Sequence, residues 1–162
     1  MPMTPRERVL ASFAHEEPDR VPLWFGASPE FWQSAQNQLS LNDEGLRRKL
    51  GDDFRTVHER DVGPALDALH AVQTTCLGME LTELKKNYGR KLVFNGGIDS
   101  HHILINSTPD IVRERTREIL NIMMPGGGYV AGASHDSVLV ETPLENVLAM
   151  CETIRDYGVY QK

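Results

Sequence analysis

Between Lys91 and Asp136 the chain reads K-L-V-F-N-G-G-I-D-S-H-H at one end and P-G-G-G-Y-V-A-G-A-S-H-D at the other. Each half is a short apolar run that closes in glycines and then in polar, titratable residues. A buried parallel strand delivers a functional loop from its C-terminal end in this way. Between the two halves Thr108-Pro109 opens a helix, with Val112, Thr116, Ile119, Leu120 and Met123 along one face. The stretch therefore reads strand, loop, helix, strand, loop. It commits the chain to a parallel sheet with helical cover.

The rest of the chain extends the pattern. Thr4 and Glu7 form a capping box with Pro5 in the first turn, and Val9, Leu10 and Phe13 are read as the inward stripe of that helix. Val21 to Phe25 (V-P-L-W-F) reads as a short buried strand, closed by Gly26-Ala27. Ser28-Pro29 then caps a helix with Phe31 and Trp32 on its inner side, and Asn42 starts another that Gly51 ends. Phe54 to Pro64 shows neither alternation nor a helical stripe. Beyond it come a strand over Ala68–Val72, a helix over Glu80–Tyr88, a strand over Leu92–Asn95 and a long loop to Thr108. A last strand covers Tyr129–Ala133. A second capping box at Thr142-Pro143-Leu144-Glu145 opens a helix with Val147, Met150, Cys151 and Ile154 on one face. Four βα units result, with strands near residues 21, 68, 92 and 129.

A chain of 162 residues is long enough for one domain with its own core, and residues 1–162 are read as one α/β domain. The formal charge of −6, with no basic block, argues against nucleic acid as a partner. No apolar run approaches the roughly 20 residues of a membrane helix. The opening Thr4-Pro5-Arg6-Glu7 is unlike an export signal. Cys76 and Cys151 sit in unrelated contexts, with Cys151 on an apolar helix face. A cytoplasmic protein with reduced thiols is the expectation.

The opening T-P-R-E-R-V-L-A-S-F-A-H-E-E-P-D-R-V-P-L-W resembles the N-terminus of the uroporphyrinogen decarboxylase superfamily. Residues 66–160 resemble its C-terminal part, through L-H-A-V-Q, L-K-K-N-Y-G-R-K-L-V-F-N-G-G-I-D, P-G-G-G-Y-V-A-G-A-S-H, T-P-L-E-N-V-L-A-M and D-Y-G-V-Y. The resemblance implies a TIM (β/α)8 barrel with a deep cleft at its C-terminal face. The superfamily includes cofactor-free decarboxylases of haem synthesis and zinc methyltransferases that handle methylcorrinoids. Such a barrel takes about 250 residues or more. Here the N-terminal pattern, in residues 1–60, runs into the C-terminal one across a seam near residues 61–65. The expected architecture is half of a TIM barrel, four βα units plus an N-terminal helix, completed by a homodimer. Free edges on 21–25 and 68–72 would join across a two-fold axis, 21–25 of one chain to 68–72 of the other.

Candidate site residues follow the strand ends. They are Phe25 and Gly26 after the first strand, Gln73 after the second, Asn95, Gly97, Asp99 and His101 after the third, and Ser134 and His135 after the last. His135 matches a histidine that ends the last strand of the decarboxylases, and a histidine there can orient or protonate a carboxylate. The structural alternative is a loop histidine bonded to Asp136. For Asp99 the favoured alternative is a cap on the Ser100–Ile103 turn. Adjacent His101 and His102 face different ways, so at most one would join a metal site. A site built from Cys76, His101 and His135 is conceivable but not favoured, and neither a metal nor a cofactor is expected. The arginines with which the decarboxylases hold substrate carboxylates after the first strand have no counterpart in F-G-A-S-P-E-F-W. Two readings stand: a cofactor-free decarboxylase-like enzyme for a tetrapyrrole or another small carboxylate, or a catalytically empty relative that binds a ligand or only dimerises. A zinc/corrinoid methyltransferase-like protein is the more distant alternative.

Overall fold

The computed structural model describes residues 2–54 and 68–161. The expected seam and nearly all of the stretch 54–64 lie outside the described residues. Three parallel strands carry the fold: β1 (Ala68–Val72), β2 (Val93–Ile98) and β3 (Tyr129–Ala133), in the order β1-β2-β3. The helices are α1 (Pro5–Phe13), α2 (Pro29–Leu39), α3 (Asp43–Leu50), α4 (Leu81–Tyr88), α5 (Pro109–Met123) and α6 (Leu144–Tyr157). Sequential strands lie side by side with α4 and α5 as their connections, the right-handed βαβ logic of parallel sheets.

Local chemistry explains the boundaries. Thr4 Oγ1 accepts from the Glu7 amide while Glu7 Oε2 accepts from the Thr4 amide, so two orphan donors of α1 are satisfied. Ser28 and Asn42 cap α2 and α3 from their side chains. Gly51 ends α3 at φ 80°, a left-handed turn that glycine makes without strain. The faces of α5 and α6 chosen by helical spacing meet in the core: Val112, Leu120 and Met123 are fully buried, as are Val147, Met150 and Ile154. Burial of each such side chain is worth about 1.5–3 kcal/mol.

Five local readings need correction. In α1 the buried residues are Arg8, Ala11 and Ser12, whereas Leu10 and Phe13 are 51% and 41% exposed. Ion pairs turn this helix: Arg8 bonds Asp19 at 2.7 Å and Asp53 at 2.6 Å, and Ser12 Oγ donates to the Tyr129 carbonyl. The third strand does not stop before Gly96-Gly97 but runs through both to Ile98, with φ at 107° and 97°. The loop to Thr108 contains a π-helical turn over Ser100–Ile105. The second capping box does not form, since α6 begins after Pro143 with no side-chain cap bond. Thr142 is buried instead.

The fifth correction concerns residues 21–25. They form no full strand, only a parallel bridge of Leu23 to Ala131, with Trp24 N donating to Ala131 O and Ala131 N donating to Pro22 O. The edge expected to be free is closed. Leu23 O accepts from Asp53 N and Leu23 N donates to Asp53 Oδ2, while Arg8 and Arg20 hold the same carboxylate. Among the described residues, only the outer edge of β1 lacks a strand partner.

Candidate functional site

At the C-terminal ends of the strands two clefts open, of roughly 530 Å³ and 430 Å³. They share Asp136 and Ser137, from the connection between β3 and α6. The first is polar, lined by His70, Gln73, Ser134, His135 and Ser137. The second is aromatic, with Trp24, Phe25 and Trp32 on its walls and Gln33, Gln36 and Arg47 around them.

The polar cleft is organised by His70. A register shift in β1 between Leu69 and Val72 lies at this residue, the kind of irregularity that re-aims a side chain. Its Nε2 stands 2.8 Å from Asp136 Oδ1, and the ring of Trp24 packs edge-on to its imidazole at 4.6 Å. Trp24 comes from the far side of β3. It reaches across because position 132 is glycine: a Cβ there would lie 2.8 Å from the Trp24 carbonyl oxygen and 3.5 Å from its ring. Gly26 has a similar role, since a Cβ there would meet Asp136 O at 2.3 Å and the Trp24 ring at 2.8 Å. The connection after β3 is thereby clamped onto residues 26–28, through Val138 N to Gly26 O and Ser28 N to Val138 O.

The expected site residues divide. Gln73, Ser134 and His135 line the polar cleft, and Phe25 and Gly26 line the aromatic one. His135 is exposed and does not bond Asp136, whose carboxylate faces His70 instead. Ser134 is buried, with Oγ accepting from the Ser100 amide. Phe25 packs against Phe31 and Trp32. Asn95 lies near Gly132, its Oδ1 buried without a hydrogen-bond partner and 3.7 Å from a Cβ placed on that glycine. Gly97 faces the helices, towards Ile119 and Leu81. Asp99 caps the π-helical turn by accepting from His102 N, and His102 Nδ1 lies 3.3 Å from it. Burial alone would raise the Asp99 pKa, but these bonds outweigh it and hold the carboxyl below its usual range. His101 is exposed beside His102, the two rings edge to face.

Four residues escaped the sequence reading as site groups: His70, Trp24, Asp136 and Arg47. His70 stood in plain view, a polar residue inside an otherwise apolar strand. Arg47 gave no signal, because α3 brings it to the cleft from more than twenty residues past the first strand. Its guanidinium lies 4.6 Å over the Trp32 ring and bonds Asp43 at 3.1 Å and Asp52 at 2.9 Å. Burial opposes its charge, but the two carboxylates more than compensate and keep it protonated. Among the described residues no group of three or more histidines, cysteines and carboxylates is placed to hold a metal ion. No described helix is long and apolar enough to cross a membrane.

The uroporphyrinogen decarboxylase (URO-D) family profile matches residues 28–157, most of the chain and all of the sheet. The chain belongs to the uroporphyrinogen decarboxylase family. Within that match lie both histidines of the polar cleft, Asp136 and Arg47. The chain is also similar to the uroporphyrinogen decarboxylase of Rickettsia canadensis (strain McKiel), 32% identical over 75 residues. That alignment covers 46% of this chain and 21% of the relative's length. The three parallel strands with helical connections are consistent with part of the family barrel.

Proposed function

We propose that this member of the uroporphyrinogen decarboxylase family binds a carboxylate in the strand-end cleft and acts as a cofactor-free decarboxylase on a tetrapyrrole or a smaller carboxylic acid. The observation that carries the reading is the pair of histidines, His70 and His135, on one polar cleft where a barrel of this family has its active site. In such a reaction the C–C bond to the carboxylate breaks and CO2 leaves. The electron pair stays on carbon and takes a proton from an acid in the cleft. His135, exposed on the cleft, is assigned that acid, with Gln73 and Ser134 as ligand contacts. The test is CO2 release from uroporphyrinogen and from small pyrrole carboxylic acids. His135→Ala should lower the rate by about 10²-fold or more if the residue transfers the proton.

A second reading, a catalytically empty relative, is favoured by one observation: Arg47, the one arginine at the cleft among the described residues, is already neutralised by Asp43 and Asp52. Folded protein that releases no CO2 from any of these acids would establish it. In either case the edge of β1, without a strand partner among the described residues, supports association with a second copy of the chain, in a protein proposed to work in the cytoplasm.

A further inference from the structure

The charge inventory of the two clefts narrows the ligand further than the family does. Among the described residues that line them, Arg47 is the one permanent cation, and its Nε and one terminal nitrogen already bond carboxylates. Asp43 and Asp136 are acidic, and Asp52 lies behind Arg47. The remaining nitrogen donors are His70, whose Nε2 faces Asp136, and His135, both in the polar cleft. A ligand with many carboxylates would set most of them against acidic walls, a repulsion the protein's net charge of −6 does not relieve. A single carboxylate suits the pair of histidines. The adjoining cleft is lined by Trp24, the nearly buried Phe25 and Trp32, whose ring also carries Arg47, together with Gln33 and Gln36. That lining suits a planar ring with a polar edge.

We propose that the two clefts form one site for a small planar aromatic monocarboxylate, its ring among Trp24, Phe25 and Trp32 and its carboxylate on His70. Asp136 positions His70 through Nε2, at 2.8 Å, and leaves Nδ1 for the ligand. The charged or titratable groups that line the two clefts with His70 are Asp136 and His135 from the connection after β3, and Asp43 and Arg47 from α3; Asp136 alone is in contact with His70 among them. Residues 20–27 contribute only the neutral Trp24 ring. The ligand class rests on the functional reading above for its reacting end, but its binding is measured independently of any reaction.

Pyrrole-2-carboxylate, pyrrole-2-carboxamide and benzene-1,2,4,5-tetracarboxylate serve as probes, with affinity read by calorimetry at pH 6. Pyrrole-2-carboxylate should bind, with its carboxylate on His70. His70→Gln should weaken it roughly tenfold at pH 6, the loss of one charge-assisted bond, and leave the carboxamide unaffected. Gln33→Trp, an exposed position on α2, should weaken both pyrroles by filling the aromatic cleft. Tighter binding of the tetracarboxylate, an unchanged affinity in His70→Gln, or no binding of pyrrole-2-carboxylate to folded protein would each overturn the proposal. The decarboxylase reading is judged separately. Binding without CO2 release sinks that reading and leaves this site, whereas CO2 release from a polycarboxylate that outcompetes pyrrole-2-carboxylate does the reverse.

Discussion

Gly26 leaves no room for a side chain. A methyl group there would lie 2.3 Å from the Asp136 carbonyl oxygen, and a backbone atom cannot step aside as a side-chain tip can. Gly26→Ala should therefore cost more than the ~1–3 kcal/mol of ordinary overpacking and push the two clefts apart, measured by urea unfolding and by probe binding. Asp19 makes a different kind of statement. Burial would raise its pKa, but the Arg8 side chain and the Met3 and Arg20 amides bring it down to about 2, below the ordinary aspartate value of about 3.9. A depressed carboxyl stabilises the fold above its unfolded pKa, and the contribution fades as pH falls from about 4 through 2. The difference corresponds to about 2 kcal/mol. Asp19→Asn should lose that increment at pH 7, and its deficit against the native chain should shrink towards pH 2.

In α1, composition and contact disagree. Apolar spacing selected Leu10 and Phe13 as the inward face, yet the fold buries Arg8 and Ser12. A stripe count cannot see partners that arrive from Asp19, Asp53 and the Tyr129 carbonyl. The orientation has a direct test. Arg8→Ala leaves Asp19 and Asp53 short of a partner and should cost about 3 kcal/mol, as removal of one side of a buried pair does. Leu10→Ala and Phe13→Ala should stay within about 0.5 kcal/mol, as surface changes do. Elsewhere the signals were local and therefore legible: the Thr4, Ser28 and Asn42 caps, the Gly51 stop, and the apolar faces of α5 and α6. The capping box at Thr142 failed because the same residue types also suit a buried bend before a proline. The site was half legible for a similar reason. Gln73, Ser134 and His135 follow strands and so reach the cleft, but Asp99 serves its own turn and Gly97 serves the helices. Arg47 and Trp24 arrive by tertiary packing that no spacing encodes.

For the whole molecule, the order β1-β2-β3 was readable because parallel strands with short helical connections have few ways to lie. The closed edge at Leu23 was not readable, since Asp53 blocks it from a turn after α3. Among the described residues, the strand edge left open is that of β1. A copy of β1 paired with itself about a two-fold axis runs antiparallel, unlike the shared parallel barrel expected at first. Light scattering of the native chain should report a dimer, and Leu69→Lys, in a half-buried β1 position, should shift it to monomer. A dimer that withstands this change would place the contact elsewhere. The pairing of Leu23 with Ala131 also has a consequence for biosynthesis. At about 5–20 residues per second, the ribosome adds Ala131 on the order of 5–20 seconds after Leu23. Throughout that interval Val21, Leu23 and Phe25 have no strand to lie against. A nascent chain thus carries V-P-L-W-F without its strand partner until Ala131 has been made.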